Sequence, residues 1–411
     1  MRIWLINQFA ISSAQDGPAR HFSLAREMVR RNHQVTIIAS SFDHAAIRGT
    51  RLPFWQTWKH EVIEGVSFLW VRTPPYPQEP LRRIWNTHLF GKRAFVAAKS
   101  AGMKKPDLII GSSPHLFAAA AAERLAAHFK VPFVLEVSDV WSKPAPKRGF
   151  LPHWRPVLLW LTSVERRLYS EAAAIIAAVP GLFERIAEKG GRMGRVFCLP
   201  DGIDTSSMRE PSPPERKESG FKVMYAGAQG PESGLDKLLD AAVVLDRVPW
   251  GDGICFHLVG NGPEQSRLKR RVLDEGIRRV SFHDAVPEKK LRSILMDADA
   301  FILSPGNSND HQSFGTGAGR VLDYMAAARP IVFCGDFREN PVAEAQSGIK
   351  AVATDGYSLA KSLKTLAEMP YGRRVEMGIR GFKHLEENFD IATMSCRLEE
   401  ILTGVLKSNG K

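Results

Sequence analysis

Residues 313–330 read SFGTGAGRVLDYMAAARP: three glycines, Gly315, Gly317 and Gly319, run into Arg320 and an alanine-rich segment that carries Asp323. An apolar run, AFILSP (300–305), precedes the stretch and another, PIVFCG (330–335), follows it. Strand, glycine loop, helix, strand is the order of a parallel α/β layer. The pattern predicts a helix beginning near Ala318, with free N–H groups and a positive dipole end aimed beyond the preceding strand. Glycines let an anion approach the backbone, and an arginine in the first turn offers a charged fork to a diphosphate. Asp323, one turn on, suits ribose hydroxyls instead. The same pattern also describes a glycine-rich hinge with a solvated arginine and aspartate. Two familiar phosphate loops are excluded. A Walker A loop needs GxxxxGK and then Ser or Thr, whereas Val321 follows Arg320 here; a dinucleotide fingerprint needs GxGxxG after the first strand of its domain.

Working outward, the glycine stretch follows the fourth strand of a series: FKVMYAG (221–227), ICFHLVG (254–260), VSFHDAV (280–286), AFILSP, PIVFCG and IKAVAT (349–354). An earlier series has the same grammar: RIWLIN (2–7), QVTIIAS (34–40), VSFLWVR (66–72), DLIIGSS (107–113), FVLEVSD (133–139), AAIIAAV (173–179) and RVFCLP (195–200). Helical patterns separate the runs, and Asn32 is placed to end the first helix in a left-handed turn. Between the two series, residues 201–220 are rich in Pro, Ser and charge and have no hydrophobic period, as a linker would be. The fold class is α/β: two Rossmann-like parallel-sheet domains, residues 1–200 and 221–388, with ligands expected in a central cleft beyond the carboxyl ends of the strands. Two more loops run from strand through glycine to helix. One carries Gly227, Gln229 and Gly230; the other carries Gly260, Asn261 and Gly262.

The chain of 411 residues is long enough for two cores, and its apolar (44%) and charged (24%) fractions are those of a globular protein. Four cysteines, Cys198, Cys255, Cys334 and Cys396, lack paired spacing, which argues against a zinc site or disulfide framework. MRIWLINQFA is too short an apolar run for a targeting or membrane-spanning segment and reads as a first strand. A net charge of +12 suits a polyanionic substrate, a membrane or nucleic acid. The absence of zinc-finger, RNP-like or basic-zipper patterns argues against nucleic acid.

Four segments in order carry a resemblance: DGPARHFSLAREMVRRNHQVTIIAS, the KPDLIIGSSPHLF…FVLEVSDVW region, LPDGID and GRVLDYMAAARPIV. Together they resemble GT-B glycosyltransferases of the retaining family GT4, especially the branch of bacterial L-fucosamine transferases of O-antigen and capsule synthesis. The resemblance implies a UDP-linked sugar donor and a glycan or polyprenyl-diphosphate-linked acceptor. It also implies a C-terminal helix (389–411) crossing back to the N-terminal, acceptor-binding domain. It places Gly17, Gly227, Gln229, Asn261, Gly262, Val286, Gly317, Ala318, Gly319, Arg320, Val321 and Asp323 around the donor. Arg320 and Asp323 stand at the Lys and Glu positions of the branch's motif. Asp16, His21 and Asp139 fall on the acceptor side, and Arg320, Asp139 and His115 are the candidate catalytic residues. This chain departs from the wider family at Gly315, where an acid is usual, and at Ala228 and Ser233, where the usual phosphate cations are replaced.

No metal or other cofactor is expected, because a helix N-terminus plus Arg320 can neutralise the departing diphosphate. Asp297 and Asp299 in DADAF (297–301) fit a polar helix-to-strand junction better than a metal site. FWQTWKH (54–60) and residues 80–105 mix aromatics with cations, as an anionic membrane surface or a solvated helix over a small core would. The expected location is cytoplasmic, peripheral on the inner face of the plasma membrane. A nucleotide-sugar epimerase or hydrolase, or a catalytically silent GT-B subunit, are the competing readings.

Overall fold

The computed structural model describes residues 1–12, 19–43, 48–75, 80–113, 115–138, 155–206, 208, 220–249, 253–304, 318–335, 340–351 and 355–409. The chain divides into two compact units, Met1–Asp201 with Ile391–Lys411, and Gly202–Asp390.

The first unit contains β1 (Arg2–Ile6), β2 (Gln34–Ser40), β3 (Phe42–Asp43), β4 (Arg48–Thr50), β5 (Trp58–Ile63), β6 (Val66–Val71), β7 (Leu108–Ser112), β8 (Phe133–Val137), β9 (Ala174–Ala177) and β10 (Val196–Cys198). Eight of these form one sheet in the order β10-β9-β8-β7-β1-β2-β6-β5, and β3 and β4 pair separately. Every neighbour in the large sheet is parallel except β5 with β6. Helices α1 (Arg20–Arg30), α2 (Pro80–Ser100), α3 (Leu116–Phe129), α4 (Arg155–Glu171) and α5 (Phe183–Glu188) connect the strands.

Alternation along each strand explains the layering. Trp4 and Ile6 face a core built with α2, α3 and α4, while Ile3 and Leu5 face a second core with Phe22, Ala25 and Met28 of α1. Burial on both faces is why these strands read as nearly continuous apolar runs. Asn32 ends α1 with φ of 63°, as its position predicted. Strand β5, WKHEVI, was not among the expected strands. It is an antiparallel edge strand with a largely solvated face, turned into β6 by Glu64 and Gly65 at positive φ.

The second unit contains β11 (Phe221–Ala226), β12 (Ile254–Val259), β13 (Val280–His283), β14 (Ala300–Leu303), β15 (Ile331–Phe333) and β16 (Gly348–Lys350). They form a parallel sheet in the order β13-β12-β11-β14-β15-β16. Its helices are α6 (Leu235–Arg247), α7 (Gln265–Asp274), α8 (Glu288–Leu295), α9 (Ala318–Ala326), α10 (Pro341–Glu344), α11 (Gly356–Glu368) and α12 (Tyr371–Phe389).

Strand order reverses between β1 and β7 in the first sheet and between β11 and β14 in the second. Open α/β sheets bind ligands at such switch points, beyond the carboxyl ends of the strands. Residues 203–205 are tied to the end of α12: Ile203 bridges Asp390, and Thr205 Oγ1 donates to Asp390 Oδ1 at 2.5 Å. The last helix, α13 (Ile391–Asn409), belongs to the first unit. Met394, Leu398 and Leu402 join the α1 core, and Glu399 receives Arg31 and His33.

Candidate active site

At the switch point of the second sheet, α9 is docked by Tyr324, Val321, Leu322 and Met325, all buried. The Tyr324 ring stacks on Phe301 of β14 at 4.1 Å, and its hydroxyl accepts from the Ala226 backbone N–H at 2.8 Å. Burial pushes the Tyr324 phenol above its ordinary range, so it stays protonated and can donate back to the Ala226 carbonyl.

Arg320 is one turn earlier on the same face of α9. Pinning Tyr324 to the end of β11 therefore delivers the arginine to the loop that follows. The guanidinium lies over the Tyr225 ring at 4.6 Å and against Gly227. Among the described residues, no carboxylate pairs with it. The result is a cation beside a helix N-terminus, at a strand end. Gly319 is exposed, and a Cβ there would meet nothing within 4 Å. Asp323 is half-buried on the next turn.

The other glycines serve the approach of two loops. A Cβ at Gly260 would overlap the Gly227 carbonyl, and one at Gly262 would overlap the backbone of Gln229. Gln229 is fully buried between them, donating from Nε2 to the Gly260 carbonyl at 2.8 Å and from its backbone to Asn261 at 2.9 Å. Asn261 is exposed and accepts from Ala285 N–H at 3.4 Å, which joins this loop to residues 284–286. Val286 is half-buried against the core on the α9 face of the sheet, and the Val321 side chain lies wholly inside that core. Val321 can therefore offer a ligand only its backbone. Asp299 accepts from the Lys222 backbone at 2.8 Å, and Asp297 faces the Lys222 ammonium at 3.8 Å.

At the switch point of the first sheet there is a second polar cluster. His21, in the first turn of α1, donates from Nε2 to Glu136 at 2.6 Å. Arg20 Nε donates to the other oxygen of Glu136 at 3.2 Å, and its Nη atoms reach Asp201 at 2.9 Å and the Leu199 carbonyl at 2.8 Å. Asn7, just past β1, donates to Ser112 at 3.0 Å and touches the His21 ring. Burial works against ionising Glu136, but the charge and hydrogen bond of His21, together with Arg20, hold its carboxyl far below the usual carboxylate range.

His115 is also at this rim. It caps α3 by accepting from Ala118 N–H at 3.3 Å and is buried edge-on to Phe9 and Phe90. Asp16, Gly17, Asp139, Gly315 and Gly317 fall outside the described residues, and Ala318 is described only as the start of α9. Sequence reasoning missed Glu136, Arg20 and Asn7. The available signal was Glu136 itself, a charge inside the otherwise apolar strand FVLEV.

The chain matches the pattern of a glycosyl transferase 4-like domain over residues 17–202 and of glycosyl transferases group 1 over residues 220–369. A curated relative is the putative colanic acid biosynthesis glycosyl transferase WcaI of Escherichia coli K12, 25% identical over 274 residues. That match covers 61% of this chain and 65%, just under two thirds, of the relative. Among solved structures, sucrose-phosphate synthase from Thermosynechococcus elongatus superposes with a TM-score of 0.72 at 14% identity, covering 99% of both chains. Anabaena Alr3699/HepE in complex with UDP and glucose gives 0.67 at 16% identity, covering 98% of this chain and all of the other. At these identities the structural likeness is one of fold.

Proposed function

The chain belongs to the GT-B glycosyltransferases, pairing a 4-like domain with a group 1 domain, and from that premise we propose that it transfers a sugar from a UDP-linked donor to a glycan or polyprenyl-diphosphate-linked acceptor. The observation that carries the donor assignment is Arg320, held over Tyr225 and against Gly227 at the β11–β14 switch point beside the start of α9, with no carboxylate partner among the described residues. A departing diphosphate needs this kind of fixed positive environment, and a helix N-terminus with an arginine supplies it without a metal. Asp323 takes the ribose, and Asn261 with residues 284–286 borders the base. Backbone groups at Gly227, Gly317, Gly319 and Val321 line the phosphates. The UDP complex of HepE supports the choice of base.

In this reading the second unit binds the donor. The first unit binds the acceptor through His21, Asp16 and Asp139, with His115 at the same rim. The bond from the sugar C1 to the diphosphate oxygen breaks, and the acceptor oxygen bonds to C1 on the same face. The acceptor proton passes to a phosphate oxygen, so configuration is retained. The likeness to WcaI supports a role in cell-surface polysaccharide synthesis, and the sequence motifs support kinship with the L-fucosamine transferase branch.

No helix among the described residues is long and apolar enough to cross a membrane. Peripheral docking on the cytoplasmic leaflet is supported by the surface of α2 and α4. Helix α2 contains no acidic residue, and Trp85, Val96, Leu159 and Trp160 are exposed. Ring contacts run from Trp85 through His88 and Phe117 to Trp160.

The test is a thermal-shift panel of nucleotide sugars, followed by product analysis with and without EDTA. The reading expects stabilisation by UDP-sugars, a retained anomeric centre and indifference to EDTA. No shift with any nucleotide sugar would remove it.

A further inference from the structure

We propose that Glu136 is a positioning residue that fixes the His21 imidazole with its proton on Nε2, leaving Nδ1 to receive a hydroxyl of the sugar acceptor. The inference rests on the acceptor-side reading of the first unit.

Its basis is geometric. Glu136 is the penultimate residue of β8, Ser112 ends β7, Asn7 follows β1, and His21 is in the first turn of α1, so four elements deliver these side chains to one switch point. Both carboxylate oxygens are engaged: one takes His21 Nε2 at 2.6 Å and the other takes Arg20 Nε at 3.2 Å, with Ser112 also hydrogen-bonded to the group. An ionised carboxylate only accepts, so Nε2 must carry a proton whether the ring is neutral or charged. In the neutral ring Nδ1 is then the nitrogen that keeps a lone pair.

The Asn7 amide is 3.3 Å from both ring nitrogens. A donor aligned with the Nδ1 lone pair would be much farther from Nε2 than from Nδ1, so this shared contact holds the ring without claiming the lone pair. His21 also keeps 15% of its side-chain surface exposed, against 8% for Glu136. The imidazole is thus the more exposed member of the pair. Arg20 performs a second task, clamping Leu199, Pro200 and Asp201 at the exit of β10. The carboxylate that orients His21 is thereby braced by the segment through which the chain leaves the first unit. A histidine oriented by a buried carboxylate is a recurrent way to fix a tautomer and a direction.

The experiment uses the full chain in two arms. In the first, ¹⁵N-histidine NMR reads the His21 ring in wild type, Glu136→Gln and Glu136→Asp, with His21→Asn identifying the signal. The expected result is a single Nε2-protonated form in wild type and in Glu136→Asp, and a tautomer mixture in Glu136→Gln. In the second arm, steady-state kinetics should show kcat/KM for the acceptor falling roughly tenfold or more in Glu136→Gln, with donor KM unchanged and partial recovery in Glu136→Asp. A His21→Asn background should make the Glu136→Gln effect on the acceptor disappear. An unchanged tautomer in Glu136→Gln, or equal losses toward donor and acceptor, overturns the proposal. If wild type turns over no nucleotide sugar, the functional reading fails, while the NMR arm still decides whether Glu136 sets the tautomer.

Discussion

The Arg320 guanidinium lies against the α-carbon of Gly227, so close that an added Cβ would stand 2.6 Å from Nε and 2.9 Å from Nη2. Gly227 also has a φ of 149°, which side-chain-bearing residues rarely adopt. Gly227→Ala should displace the arginine while leaving a folded protein, because the obstructing atoms end a flexible side chain. The expected result is a loss of about 1–2 kcal/mol in stability, with UDP affinity reduced roughly tenfold by calorimetry.

Gly319 and Gly260 separate two reasons for having a glycine. A methyl group at Gly319 meets nothing and removes backbone entropy from a helix start, so Gly319→Ala should leave stability equal or raise it by up to about 1 kcal/mol. If diphosphate contacts that backbone, the same variant should weaken UDP binding. Gly260→Ala instead drives a Cβ into the Gly227 carbonyl at a φ of 132°. It should lower the melting temperature sharply whether or not nucleotide is present.

Glu136 predicts a pH dependence with a definite sign. Its folded-state carboxyl is held below its unfolded value, so its contribution is complete above the ordinary carboxylate range and is lost as pH falls below it. Glu136→Gln should cost about 3 kcal/mol near neutral pH. The gap to wild type should narrow in melting curves taken below about pH 4.

If the α2–α4 face docks on anionic lipid, replacing both Trp85 and Trp160 by Ser should abolish co-sedimentation with phosphatidylserine vesicles. Turnover of a soluble acceptor analogue should be unchanged. Equal sedimentation by the two proteins would dismiss the membrane surface.

The parallel strands were legible because burial on both faces writes them as short β-branched runs, and FKVMYAG, ICFHLVG and AFILSP became β11, β12 and β14 with only their carboxyl ends trimmed. The trimmed residues are the ones that leave the sheet to build the loops. β5 was illegible because a solvated edge strand carries Lys59, His60 and Glu61 and lacks the apolar signal. The placement of Arg320 and Asp323 in the first turns of α9 could be read from the glycine loop and helix spacing. Tyr225 and Tyr324, which aim Arg320, could not, since both look like ordinary core aromatics. The Glu136–His21 pair spans 115 positions, and only the fold brings it together.

The central claim is that Arg320 holds the diphosphate of a nucleotide-sugar donor. It is tested most directly by titrating UDP into wild type, Arg320→Lys and Arg320→Ala in a calorimeter. Wild type should bind, the lysine variant, which keeps charge but not the fork, should lose part of the affinity, and the alanine variant should lose at least roughly tenfold with its fold intact. UDP binding equally well to all three would contradict it.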